Sequence, residues 1–291
     1  MTLNQAIKTK YGNNISIISR KAVHGGDINS AHALELSDGT VIFMKSNTRE
    51  RENLFISELN SLEAMKSTGT VRTPMVIAEG VDEDFSFLLL EYIESGYGSR
   101  ESFVMLGHSL AAMHQADTSQ FVSGGKFGFN SNNYLGSGVQ INDPTDSWVD
   151  FFRKCRLAPL FEQTASYFST EERRRCDALL DRLDRYLTEP EKPSLLHGDL
   201  WAGNYMIDSE GNPWLIDPAS YVGHAEADLA MTELFGGFNS IFYDAYREAA
   251  GIDPGYRERK DLYNLYHLLK HLKLFGSGYL PSAKSVIFRY T

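Results

Sequence analysis

Asp199, Asn204 and Asp217 have residue types and a spacing that could do chemistry. They fall within Leu195–Asp217, which reads Leu-Leu-His-Gly-Asp-Leu-Trp-Ala-Gly-Asn-Tyr-Met-Ile-Asp-Ser-Glu-Gly-Asn-Pro-Trp-Leu-Ile-Asp. A carboxylate and an amide stand five positions apart, and a second carboxylate follows Asp199 by 18 positions. Asp199 can orient a hydroxyl and take its proton. Asn204 and Asp217 offer the hard oxygen ligands that Mg²⁺ prefers. Together they are equipment for moving a phosphoryl group from a nucleotide to an alcohol. The elements that must hold them read as strand, loop, strand, turn, strand. Leu195-Leu196 ends one apolar run, Ser209-Glu210-Gly211-Asn212 supplies turn chemistry, and Trp214-Leu215-Ile216 forms a run that stops at Asp217.

Two charged residues upstream fit the same chemistry. Asp38-Gly39 is a strong hairpin turn, after which Thr40–Lys45 alternates as a strand. Val41, Phe43 and Lys45 share one face, so Lys45 continues an apolar surface. An ammonium there needs a partner or a phosphate, unless it snorkels from the strand end. Residues 50–67 read as a helix with Phe55, Leu59, Leu62 and Met65 on one stripe. Glu58 lies four after Leu54 and four before Leu62, so its carboxylate points from the buried side, or else sits at the stripe's edge in water. A buried carboxylate demands a cation, and Lys45 is the candidate. A strand lysine fixed by a helix glutamate is an arrangement that holds nucleotide phosphates.

The spacing His197-x-Asp199-x(4)-Asn204, followed by an apolar strand ending in Asp217-Pro218, resembles the catalytic and metal-binding segments of kinase-fold enzymes. His-Gly-Asp looks like the small-molecule branch rather than protein kinases. The fuller string His197-Gly198-Asp199-Leu200-Trp201-Ala202-Gly203-Asn204 is similar to the fructosamine kinase (ketosamine-3-kinase) family, as is Gly223-His224-x-Glu226-Ala227-Asp228-Leu229-Ala230-Met231. The resemblance covers roughly residues 6–280. It implies ATP as donor, Mg²⁺ held by Asn204 and Asp217, and Asp199 as the catalytic base. Lys45 and Glu58 then serve the nucleotide. It places a phosphate-covering loop at Gly25-Gly26, where backbone amides can approach a ligand closely. Asp27 stands where some family members carry Cys, so no thiol switch is expected. It also places adenine against the main chain of Glu91, Tyr92 and Ile93. The implied acceptor is a ketosamine, the Amadori-type adduct of a sugar on an amine, phosphorylated at O3; the unstable product releases the amine. His197-Gly198 lacks the Arg that reads a phosphorylated activation loop, so activity is expected without such phosphorylation.

Composition sets the outer bounds. At 291 residues the chain can bury a sizeable core and split into two lobes. A net charge of −10 argues against a nucleic-acid partner, but not against a nucleotide whose phosphates meet a local lysine and Mg²⁺. Two cysteines, Cys155 and Cys176, are too few for a disulfide framework, and a cytoplasmic location follows as the default. No run approaches a membrane span, and the N-terminal residues lack a signal-peptide apolar core.

The remaining segments sort around this site. Residues 3–10 read as a short helix, and 15–18 and 31–36 as strands. Residues 76–78 and 87–90 read as strands, the second buried on both faces. The change to Gly/Ser composition after Ile93 marks the expected boundary between a nucleotide-binding lobe, residues 1–93, and a catalytic and acceptor-binding lobe, residues 94–291. Residues 102–115 are helical, with His114 as a packing or hydrogen-bonding histidine. The long Gly/Asn/Ser-rich stretch 121–147 is read as part of the acceptor side through Phe127-Gly128-Phe129, Asn132-Asn133-Tyr134, Gln140 and Asn142, or as a surface loop with aromatic anchors. Residues 148–160 and 170–187 read as amphipathic helices, 219–224 as a loop, and 256–275 as a long helix with a leucine stripe. Asp228 is read as a structural anchor. Trp201 is either an apolar wall for a sugar-derived acceptor or a core anchor.

The expected architecture is therefore a bilobal α+β protein-kinase-like fold, β-rich in the N-lobe and mainly helical in the C-lobe. The expected partner is a small-molecule or protein-bound ketosamine, and the chain a monomer or weak dimer. Two alternatives stand beside this reading. One is another small-molecule kinase of the same fold, acting on an aminoglycoside, choline or a thiosugar. The other is a non-catalytic nucleotide-binding module.

Overall fold

Period-two alternation builds the N-terminal sheet. In the computed structural model, which describes residues 1–23 and 28–291, β1 (Ile17–Ala22), β2 (Ser30–Leu36), β3 (Val41–Thr48), β4 (Val76–Val81) and β5 (Phe85–Glu91) form one antiparallel sheet ordered β1-β2-β3-β5-β4. The expected phosphate-covering glycines, Gly25 and Gly26, and Asp27 lie outside the described residues. Leu34, Ile42, Met44, Phe87 and Leu89 pack against Ala6 and Ile7 of α1 (Leu3–Tyr11). Leu88 and Leu90 face the other way and meet Phe55 and Leu62 of α2 (Glu52–Ser67). Cover on both faces is why residues 87–90 form an unbroken apolar run. Lys45 shares the α2-facing parity of Phe43. Val41 does not belong to that apolar face: it is 40% exposed at the mouth of the Asp38-Gly39 hairpin and absent from the cluster beneath α2.

The sheet ends at Glu91, and from α3 (Arg100–Gln115) onward the chain is mainly helical. Ser99 caps α3 by accepting the Ser102 N–H, while the Ser102 hydroxyl meets the Ser99 N–H in return. Within residues 121–147, expected as a loop, lies a short hairpin of β6 (Asn133–Leu135) and β7 (Gly138–Gln140). The helix expected over 148–160 is interrupted: α4 (Trp148–Phe151) and α5 (Ala158–Gln163) flank a wide π-helical turn, Phe152–Leu157. α6 (Thr170–Asp181) stops short of Leu187, giving way to a 3₁₀ turn at Leu183–Arg185. Next come β8 (Ser194–Leu196), β9 (Tyr205–Ile207) and β10 (Pro213–Leu215). The segment expected as a loop after Asp217 contains β11 (Tyr221–Gly223), which pairs antiparallel with β8. Such three-residue strands carry too little pattern to announce themselves in sequence. α7 (Glu226–Leu234), α8 (Ser240–Ala250), α9 (Tyr256–Phe275) and α10 (Leu280–Arg289) complete the chain.

The C-terminal core forms where the α9 stripe, Leu262, Leu265, Leu269 and Leu272, is fully buried. Each such leucine contributes roughly 1.5–3 kcal/mol over an exposed one. Trp148 is completely buried, stacked on Phe151 and tilted against Phe152 and Tyr263. This core is the platform beneath β8–β11. Among the described residues no helix is long and apolar enough to cross a membrane.

Candidate active site

The loop 197–204 is held by its own backbone. Asp228, on α7 and almost wholly buried, accepts the His197 N–H at 2.6 Å and the Gly198 N–H at 2.9 Å. It also meets His114 Nε2 at 3.2 Å, so the two residues expected to be structural act together as the loop's anchor. Burial works against the Asp228 carboxylate, but His114 and the backbone donors outweigh it and hold its pKa below the ordinary value. His197 donates from Nε2 to Ile216 O at 2.9 Å and accepts the Asp199 N–H at Nδ1, the pattern of a neutral imidazole. Burial lowers its pKa in agreement. Gly198 sits at φ +83°, and a Cβ there would lie 2.1 Å from Ala219 O. Only glycine permits that approach, which lets Ala219 N–H reach His197 O at 2.9 Å and ties the loop to the segment after Asp217.

This frame sets the expected polar groups side by side. Asn204 donates from Nδ2 to Asp199 O at 2.8 Å and to Asp199 Oδ2 at 3.1 Å. A carboxylate only accepts, so the amide nitrogen must face Asp199, and the amide oxygen is left facing away from it. Burial, then the nearby charge of Asp217, pushes the Asp199 carboxyl up to about 7. Asp217 has φ +56°, a left-handed conformation that is costly for a non-glycine residue. Its carboxylate meets Lys45 Nζ, and the same ammonium lies 2.6 Å from Glu58 Oε1. Lys45 and Glu58 are thus paired, as the strand and helix patterns implied, and both are nearly buried. The two carboxylates outweigh burial and raise the Lys45 pKa, while burial outweighs Lys45 and raises that of Glu58.

Lys45, Glu58, Asp199, Trp201, Asn204 and Asp217 all line one cleft, a cavity of about 580 Å³ between the sheet and the helical half. That volume is ample for a small ligand, within the roughly 300–1,000 Å³ common for such sites. Trp201 is 39% exposed on the cleft wall, which excludes the core-anchor alternative. Glu91, Tyr92 and Ile93 lie where the sheet hands over to the helical half, outside this cavity. The Glu91 N–H is spent on Met75 O, and among the described residues no main-chain hydrogen bond engages Tyr92 or Ile93.

The acceptor-side expectation for residues 121–147 divides. Tyr134 lines the cleft. Gln140 and Asn142 are buried away from it: Gln140 Nε2 donates to Ala219 O at 3.0 Å and to Asn133 Oδ1, and Asn133 Nδ2 donates to Ser220 O at 2.7 Å. Asn142 meets Asn133 and the buried guanidinium of Arg156, which lies over the Tyr221 ring. These amides clamp the backbone just beyond Asp217 instead of touching a ligand in the cleft.

Four wall residues carried no motif. Phe235 and Tyr279 flank His271, with ring centroids 4.8 and 5.0 Å away. Lys270 is nearly buried in the same wall, donating to Gly138 O at 3.0 Å. Both His271 and Lys270 sit among the leucines of α9, where the apolar stripe conceals them.

The donor set fits Mg²⁺. Asn204 and Asp217 supply one amide oxygen and one carboxylate, and among the described residues no group of three or more His, Cys, Asp or Glu could hold a metal by itself. An ion held by one or two protein groups and completed by phosphate oxygens and water is the usual magnesium–nucleotide arrangement.

The sequence profile described as Fructosamine kinase matches residues 1–291. A probable ketoamine kinase of Synechocystis sp. is 39% identical over 290 residues, 98% of this chain and 95% of that protein. The chloroplastic protein-ribulosamine 3-kinase of Oryza sativa subsp. indica is 37% identical over 288 residues, 96% of this chain and 80% of its own length. A candidate fructosamine-3-kinase from Haemophilus somnus 129PT, a crystal structure, superposes with a TM-score of 0.87 at 26% identity, covering 99% of this chain and 96% of that one.

Proposed function

Since the chain belongs to the fructosamine kinase family, we propose that it transfers the γ-phosphoryl group of ATP to a ketosamine hydroxyl, O3, and so initiates deglycation. The observation that carries this reading is the meeting of Lys45, Glu58, Asp199, Asn204 and Asp217 in one cleft.

Residues 1–93 form the nucleotide lobe and residues 94–291 the catalytic and acceptor lobe. The main-chain groups of Tyr92 and Ile93, unengaged among the described residues, receive adenine together with Glu91. Lys45 gives up Asp217 for the donor phosphates, and Glu58 keeps the ammonium aimed during the exchange. Asn204 Oδ1 and the Asp217 carboxylate would hold Mg²⁺, which would neutralise phosphate charge. Asp199 accepts a hydrogen bond from the acceptor hydroxyl. As that oxygen bonds to the γ-phosphorus, the bond from phosphorus to the ADP oxygen breaks and the proton passes to Asp199. A carboxylate with pKa near 7 suits proton acceptance near neutrality. Positioning supplies most of the acceleration in such transfers. Trp201 forms the apolar wall against the sugar. The rice relative's name specifies a protein-ribulosamine; the exposed Trp201 and Phe275 at the cleft are compatible with an acceptor carried on a polypeptide.

The test is a Mg-ATP assay across fructosamines, ribulosamines and erythrulosamines, with an aminoglycoside and choline as controls. Turnover of at least one ketosamine and of neither control is expected. Consumption of ATP with a control and with no ketosamine refutes the substrate assignment. Nucleotide binding without turnover of any acceptor refutes the enzyme assignment.

A further inference from the structure

Lys270 is a buried cation that the phosphoryl-transfer reading leaves unused. It is 2% exposed and belongs to the cleft wall that also holds Asp199 and Trp201. Its Nζ has two partners, both main-chain carbonyls of β7: Gly138 O at 3.0 Å and Val139 O at 3.5 Å. Among the described residues no carboxylate lies within ion-pair distance of it. The hairpin closes tightly around the ammonium. A Cβ on Gly138 would stand 2.6 Å from Nζ, so the ammonium lies directly against the glycine main chain of β7.

A desolvated ammonium held only by carbonyl dipoles is costly unless an anion completes its surroundings. Nearby charges do not remove the deficit. Burial and the like charges of Lys273 and Arg156 drive the Lys270 pKa down to about 8, against the weaker favourable pull of Asp199. Lys273 and Arg156 lie behind this wall rather than in the cleft lining, and the carboxylates that do line the cleft, Glu58, Asp199 and Asp217, make no ion pair with Lys270. Two of the three ammonium protons are spent on β7, leaving one for the cleft.

Resting on the ketosamine kinase reading above, we infer that Lys270 is a specificity-determining residue that selects acceptors bearing an anionic oxygen, a carboxylate or phosphate, beside the reacting sugar. The carboxylate would come from an amino acid that forms the amine part of the adduct. The phosphate would come from a sugar phosphate that forms its carbohydrate part. Either replaces the missing counter-charge and meets an ammonium already held in place by β7.

Three acceptors separate the sources: the ribulosamine of glycine, the ribulosamine 5-phosphate of methylamine, and the uncharged-tail ribulosamine of methylamine. The wild-type protein is expected to show a kcat/KM about tenfold or more higher for one of the first two than for the third, the scale of a charge-assisted hydrogen bond. The favoured acceptor identifies the anion. Lys270→Gln is expected to collapse that ratio toward one through KM, and Lys270→Arg to retain part of it. Thermal unfolding of each variant and the within-protein ratio keep a folding defect from imitating the result. A wild-type protein that turns over all three without preference overturns this inference alone. Equal losses for all three acceptors in Lys270→Gln overturn it as well. No turnover of any of the three overturns this inference; no turnover of fructosamines and erythrulosamines as well refutes the ketosamine reading with it.

Discussion

Lys45 on β3 shares a hydrogen bond with Asp217, 172 positions further along the chain, while the same ammonium holds Glu58 on α2. One cation therefore joins the sheet, the helix packed on it and the end of the central hairpin. Lys45→Met leaves Glu58 buried without its cation. The expected cost is about 3 kcal/mol of unfolding free energy, the scale for breaking a buried pair. Denaturant unfolding checks this, alongside a loss of ATP affinity by calorimetry. A variant as stable as wild type shows that water already solvates the pair.

Gly198→Ala puts a Cβ into Ala219 O at a positive φ. Either the loop carrying Asp199 or the segment following Asp217 must move. The expected loss is at least about 2 kcal/mol, combining a strained backbone with a displaced contact. Turnover should fall further than the folded fraction does, because the two carboxylates no longer keep their relation. Wild-type stability and turnover in this variant contradict the close packing described.

The local motif around Asp199 was readable because its residues lie within one short strand–loop–strand segment. Lys45 and Glu58 were readable for a different reason: alternation and helical stripe each place a charge on a surface that should be apolar. Lys270 obeys neither signal. It interrupts nothing in the α9 leucine stripe, and its partners on β7 lie more than 130 positions away. Gln140 and Asn142 failed in the opposite sense. Their amides suggested ligand contact, but tertiary packing turned them toward the carbonyl of Ala219, the side chain of Asn133 and Arg156. The interruption at Phe152–Leu157 was equally hidden, since the residues there have ordinary helical propensity.

Asp228→Ala removes the acceptor of the His197 and Gly198 N–H groups and the partner of His114. Three donors lose a charged, buried acceptor, so the expected destabilisation is about 3 kcal/mol or more. A thermal scan should show a lower Tm, and the folded protein a reduced kcat. An unchanged Tm contradicts the anchoring role.

The raised pKa of Asp199 fixes the direction of two pH effects. Its protonated form cannot take the acceptor's proton. The kcat/KM should therefore rise with pH through the range in which Asp199 loses its proton and then level. In the nucleotide-free protein the native state keeps a proton between about pH 4 and 7 that the unfolded chain, at the ordinary value of 3.8, has released. The native state thus binds more protons across that window, and this group's contribution to stability falls as pH rises through it. Asp199→Asn should flatten that part of the stability profile. A profile with the same slope in both proteins rules out Asp199 as its source.

The most direct test compares Asp199→Asn with the wild-type protein on one ketosamine, measuring phosphorylated product and ATP affinity in the same preparation. The account predicts a loss of kcat of about 10²–10⁴-fold, the scale of a removed general base, with ATP affinity nearly intact. Product formation within about threefold of wild type, well inside the span expected for a catalytic base, contradicts the role assigned to Asp199 and the mechanism built on it.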